Sequence, residues 1–273
     1  MYPNPAHGTA KMVRSARAVT LVALAAATIH AVPARAQHAP DEEGGSSWAI
    51  GLGFKSEQKP YAGMDRDNMP LPFLEYENKY ILLRGPSLEV KLPGLTISES
   101  QQFKFGLVLN YSMDGYKAGD APVLRGMAER KGGIWAGAKA EWETSLLTVT
   151  GEALRDVSGN SKGQTVALGV ERTWHVGDKL MLTPRAVMKW QDGKYNNYYF
   201  GVKRNEAQAG RAAYDAGAGA NAEFGVRAIY MFNQSHSMFM DVSTTSLSSK
   251  VKDSPLVDRS TENEIMMAYV YRF

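Results

Sequence analysis

From Ile265 to Phe273 an apolar side chain stands at every second position: Ile265, Met267, Tyr269, Tyr271 and Phe273, with Met266, Ala268, Val270 and Arg272 between them. Alternation of this kind sends successive side chains to opposite faces of a strand. An apolar row that finishes on aromatic residues suits a strand whose outer face meets lipid and whose end lies at the membrane rim. The same period recurs upstream. Trp48, Ile50, Leu52 and Phe54 form one such row, and Phe103, Phe105, Leu107, Leu109 and Tyr111 another. Val166, Leu168 and Val170 repeat it, as do Leu180, Leu182, Ala186, Met188 and Trp190.

Window by window, the pattern predicts strands at 47–56, 68–77, 79–92, 101–112, 133–143, 145–155, 164–175, 179–190, 195–203, 214–232, 236–247 and 261–273. The segment 79–92 is read as one strand because Tyr80, Leu82, Leu88, Val90 and Leu92 keep one parity across Gly85-Pro86. The even positions from Ala216 to Phe232 never lose phase, which gives a single long strand reaching beyond the bilayer. The total is about twelve, an even number, as expected of a bacterial single-chain barrel. The fold class is therefore all-β, an antiparallel transmembrane β-barrel closed by the C-terminal strand. Short links at 176–178 and 233–235 suit hairpins. The longer ones at 113–132 and 248–260 suit the opposite rim or a plug.

Residues 1–36 read as a cleaved signal peptide: Lys11, Arg14 and Arg17 lead into an almost uncharged stretch from Ala18 to Val32, followed by Ala34-Arg35-Ala36. Residues 37–46 then form a periplasmic tail and 47–273 the barrel. This implies export through the inner membrane and an outer-membrane location. Four of the 31 Lys and Arg fall in the signal, so 27 basic residues face 28 acidic ones, a formal charge of −1. That balance offers no surface for nucleic acid. There is no cysteine, which excludes a disulfide framework. Beyond the signal no apolar run is long enough for a spanning helix, and a closed barrel is the other way to satisfy every backbone group in lipid.

No catalytic set emerges. His175 and His236 lie at strand ends, His236 follows Ser235 and so points to the opposite face, and no Gly-x-Ser-x-Gly turn exists. No His, Asp and Glu cluster has metal-ligand spacing, and no cofactor is implied. The acidic run Asp41-Glu42-Glu43 reads as solvated tail. The charges with more to say are Lys104, Glu141, Glu152, Glu171, Arg185, Lys189, Glu223, Arg227 and Asp241, which the strand parity directs into the lumen. A charge facing lipid at midplane costs about 2–4 kcal/mol. They either pair across and fill the interior or line a polar pore. Tyr195, Tyr198, Tyr199 and Phe200 suit an interfacial girdle or a sugar platform.

Several segments in order resemble the MipA/OmpV family of outer-membrane proteins: Pro60-Tyr61-Ala62-Gly63, Pro70-Leu71-Pro72-Phe73-Leu74-Glu75-Tyr76, and Lys194 to Val202 with its Tyr198-Tyr199-Phe200-Gly201. Ala213-Tyr214-Asp215-Ala216-Gly217, Asp253-Ser254-Pro255-Leu256-Val257 and the terminal Tyr271-Arg272-Phe273 follow. The stretch Glu206 to Arg211 departs from the pattern, being Ala- and Gln-rich where a Ser/Pro loop is expected. The resemblance implies a non-enzymatic scaffold that brings a membrane-bound lytic transglycosylase together with a penicillin-binding protein. A porin-like diffusion channel is the alternative, and an outer-membrane hydrolase a more distant one. The terminal strand, Ile265 to Phe273, is what the barrel-insertion machinery would read.

Overall fold

A computed structural model describes residues 45–273. The signal peptide and residues 37–44 of the tail lie outside the described residues. The strands are β1 (Ser47–Gln58), β2 (Asp67–Glu77), β3 (Ile81–Arg84), β4 (Ser87–Ser98), β5 (Gln101–Ser112), β6 (Gly133–Thr144), β7 (Thr148–Asp156), β8 (Gln164–Glu171), β9 (Trp174–Val176), β10 (Leu180–Gln191), β11 (Gly219–Met231), β12 (His236–Ser246) and β13 (Thr261–Arg272). Each is antiparallel to its neighbours, and β13 pairs back onto β1 from Ala49↔Arg272 to Gln58↔Asn263. The result is a closed ring of twelve strands, with β9 as a collinear extension of β8. Closure leaves the sheet no terminal strand with a fully open edge toward lipid.

β8 and β9 keep one register against β10, with Glu171 opposite Arg185 and Trp174 opposite Leu182. Pro184 faces the break between them. Its carbonyl accepts from the Arg172 N–H at 3.3 Å, but it has no N–H to return. The strand predicted at 164–175 is thus one strand with a proline-made gap.

The outer face carries the apolar rows. Leu52, Leu168 and Phe224 are each more than half exposed, and Trp48, Trp174 and Trp190 stand on the same outward parity. In β4 the register shifts between Leu92 and Leu95, across Pro93-Gly94. That extra residue re-phases the strand so that Leu92, Leu95 and Ile97 all stay on the exposed face.

Four strand predictions are corrected. Residues 195–203 form no strand: α1 (Gly193–Phe200) is a helix, begun by Asp192, whose carboxylate accepts the Tyr195 N–H at 2.8 Å. The segment 79–92 is two strands, because Gly85 takes φ +53° and turns the chain into the β3–β4 hairpin, with Arg84 opposite Ser87. Residues 214–218 precede β11, which starts only at Gly219, so there is no long strand reaching past the bilayer. Residues 145–147 are a turn in which Thr144 Oγ1 accepts from Leu147 N–H, and β7 starts at Thr148. The first two errors offset, which is why the strand count still came to twelve.

The connections sort by length. Turns 78–80, 99–100, 145–147, 177–179 and 232–235 lie at the end where Ser47 and Arg272 sit. The long segments 59–66, 113–132, 157–163, 192–218 and 247–260, which include α1 and the short helix α2 (Ser249–Lys252), gather at the other end.

Candidate functional site

The long connections form a cap over one mouth of the barrel, and the cap has its own core. Tyr61, Tyr116, Leu124, Tyr195, Tyr199, Phe200, Val251 and Leu256 are buried together there, with Trp135 reaching up from β6. The tyrosine group therefore forms neither a membrane girdle nor an exposed platform. On α1, Tyr195 and Tyr199 are one turn apart and share the buried face. Tyr61 stacks on Phe200 and meets Tyr116 edge-on, with centroids 5.7 and 5.0 Å apart. Burial raises the hydroxyl pKa of Tyr61, Tyr195 and Tyr199 above the usual tyrosine value. They stay neutral donors: Tyr61 Oη donates to the Tyr199 carbonyl at 3.2 Å and Tyr199 Oη to that of Lys131 at 3.3 Å.

Arginines bolt the cap segments to one another. Arg130 Nη2 donates to both carboxylate oxygens of Glu206, at 2.9 and 2.8 Å, with both side chains buried. Its Nε donates to the Tyr198 carbonyl at 2.7 Å. Burial works against a charge on Glu206, but N–H donors of Lys203 and Ala128 and the Arg130 guanidinium together hold its carboxyl below the ordinary value. Arg211 donates to the carbonyls of Val123, Arg125 and Glu206. The Glu206–Arg211 stretch, which departs from the family pattern in sequence, is thus the cap's main clamp. Ser254 Oγ donates to the Phe200 carbonyl at 2.6 Å, tying 247–260 to α1.

Below the cap the wall's inner face is polar and paired. Arg185 donates to Glu223 at 2.9 Å and to both oxygens of Asp241 at 2.7 and 2.9 Å, and Arg227 lies 3.4 Å from Asp241. Lys104 pairs with Glu143. Glu141 pairs with Lys139, which also holds Glu89. Glu152 and Glu171 line a cavity of about 20 Å³ with Arg185. Lys189 is half-buried on the same parity of β10 as Arg185. Sequence reasoning missed further members of this lattice: Lys55 with Glu57 and Glu264, and Glu75 between Arg84 and Arg272. The parity that marks Arg185 marks these too, since Lys55 alternates with exposed Phe54. A further cavity of about 60 Å³ lies under the cap, among Glu57, Lys59, Asp114, Tyr195 and Glu262, room for a few waters.

His236 Nδ1 lies 2.5 Å from Tyr269 Oη and its ring packs against Tyr271 on the outer face at the turn end. His175 is exposed on β9. The two histidines are on different strands, and no nucleophile–base pair forms with Ser235. Among the described residues, no group of three or more His, Asp or Glu could hold a metal.

The family model described as MltA-interacting protein MipA matches residues 50–273. The outer membrane protein Omp26La of Vibrio anguillarum is 31% identical over 193 residues, covering 69% of this chain and 75% of that protein. The MltA-interacting protein of Escherichia coli K12 is 27% identical over 232 residues, covering 83% and 90%. Among solved structures, an outer membrane channel from Pseudomonas putida F1 is 10% identical with a TM-score of 0.47, covering 89% of this chain and all of that one. Matched along nearly the whole barrel, this outer-membrane chain belongs to the MltA-interacting protein MipA family.

Proposed function

We propose that the chain is a non-conducting, non-enzymatic scaffold, which holds a peptidoglycan-remodelling enzyme at its periplasmic end. The observation that carries this reading is the capped mouth. A cap with a tyrosine core and a buried Arg130–Glu206 pair covers one end, over a lumen whose wall carries ion pairs between neighbouring strands. In bacterial barrels the long connections face outward and the short turns inward. The cap is then extracellular, and the turns and residues 37–46 are what a periplasmic partner meets. The name of the Escherichia coli relative supports a murein-cleaving lytic transglycosylase as that partner, and a penicillin-binding protein fits as a second. The test is affinity capture of the tagged full chain from detergent-solubilised envelopes. Recovery of a lytic transglycosylase supports the scaffold, and envelopes yielding neither a murein hydrolase nor a synthase would count against it.

The lumen charges of both signs favour a second reading, a diffusion channel for small polar solutes. Planar-bilayer recording separates the two. The scaffold gives no steady conductance above background, and a channel does.

A further inference from the structure

The wall of the barrel is incomplete beside β2. β3 pairs with β2 only at Glu75, Tyr76 and Glu77, and the tip of the β3–β4 hairpin reaches one step further, where the Gly85 N–H donates to the Leu74 carbonyl at 2.8 Å. Among the described residues, no strand pairs with that edge of β2 from Asp67 to Phe73. Across the gap, β5 is covered up to Tyr111, whose N–H donates to the Pro86 carbonyl at 3.1 Å, and after Ser112 the segment 113–132 forms the far side. The segments 59–66 and 113–132 bridge the top, with Lys59 Nζ donating to the Gly115 carbonyl at 3.3 Å. This is a side window, floored by Gly85-Pro86 and roofed by the cap.

Its edge is adapted to having no partner. Leu74 aims its backbone groups at the window, and residues two apart in a strand aim theirs the same way. Pro72 and Pro70 therefore face the window, and neither has an N–H to leave unsatisfied. A strand added from another chain would find two donors missing, so the edge is a poor template for pairing. The window also lies within the lipid belt. Pro72 and Pro70 sit opposite Leu52 and Phe54 of β1, which are 69% and 47% exposed on the outer face.

Behind the window the polar lining gives way. Leu71 and Met266 are buried on the inner face with Met69, Met113 and Phe239 packed on them, and Phe73 adjoins Ala268 and Val270. Around much of the remaining ring the inner wall carries ion pairs, as at Lys55, Lys139 and Arg185. From this geometry we infer that the window is a lateral entry for one acyl chain of an outer-leaflet lipid or amphiphile. The chain would pass between β2 and the start of the 113–132 segment and lie along Leu71 and Phe73, with Met113 as the side chain that closes the opening. The inference depends on the barrel being in the membrane and not on the scaffold reading.

The test uses the full chain in phosphatidylcholine vesicles doped with a phosphatidylcholine bearing a diazirine in its acyl chain. After irradiation, labelled residues are mapped by mass spectrometry. Label is expected on inward-facing Leu71, Phe73 or Met266 as well as on outward Leu52 and Leu168. Met113→Ala should increase the inward label, and Met113→Trp should lose it while the outward label stays. Heat-modifiable migration confirms that each variant has folded. Label confined to outward residues, inward label indifferent to both substitutions, or crosslinking of two copies along β2 would each overturn the proposal.

Discussion

At the residue scale the cap depends on one ion pair. Arg130 and Glu206 come from segments 76 residues apart, and both are nearly sealed from solvent. Removing one partner of a buried pair leaves an uncompensated charge and typically costs about 3–5 kcal/mol. Glu206→Ala should therefore loosen the cap and leave the wall intact. The expected signs are rapid protease nicking within 113–132 or 192–218 and an unchanged heat-modifiable band. The carboxyl also sets a pH limit. Its folded pKa is below the ordinary 4.5, so its stabilisation is fully present above that value and is lost as pH falls through the lower folded value. The near-ultraviolet dichroism of the tyrosine core should hold from neutral pH down to about 4.5 and fade below it. Fading on the alkaline side instead would remove Glu206 from the account.

At the element scale, α1 shows how a sequence can mislead. Residues 195–203 carry aromatics at a density that suits a strand, yet Tyr195 and Tyr199 match one helical face, and Asp192 is a good N-cap three residues ahead of Tyr195. Close packing fixes the choice, because a Cβ on Gly163 would sit 2.8 Å from that of Tyr195. Asp192→Ala should destabilise the helix by about 1 kcal/mol. Hydrogen exchange should accelerate for 193–200 and not for β10 beside it. The β3–β4 hairpin was misread for a related reason: the turn at Gly85-Pro86 changes parity, and the inward Leu82, opposite Glu89, mimics a member of the outward row of Val90 and Leu92. The wall itself was legible because lipid outside and ion pairs inside impose opposite demands on alternate residues, as at Phe54 and Lys55. The cap was not, since Arg130, Glu206 and Arg211 meet only after the ring has closed.

At the scale of the whole molecule, stability comes from a ring with no loose end, and β13 is the strand that completes it. It pairs with β12 from His236↔Tyr271 to Ser246↔Thr261 and with β1 along most of its length. The free energy of closure is shared among all twelve strands, so no single outer side chain should hold the finished barrel together. Assembly is different, because the last strand must be delivered and seated before the ring gains that shared stability. Phe273 stands 71% exposed at the end of the outer row and packs edge-on against Tyr271, which makes it available to whatever seats the strand. Phe273→Ala should therefore lower the yield of folded barrel in outer membranes while leaving the denaturation midpoint of the barrels that do form close to wild type. Heat-modifiable migration of membrane fractions reads the first quantity, and urea titration of purified barrels the second. A lowered midpoint with normal yield would assign Phe273 to the stability of the wall and not to its assembly.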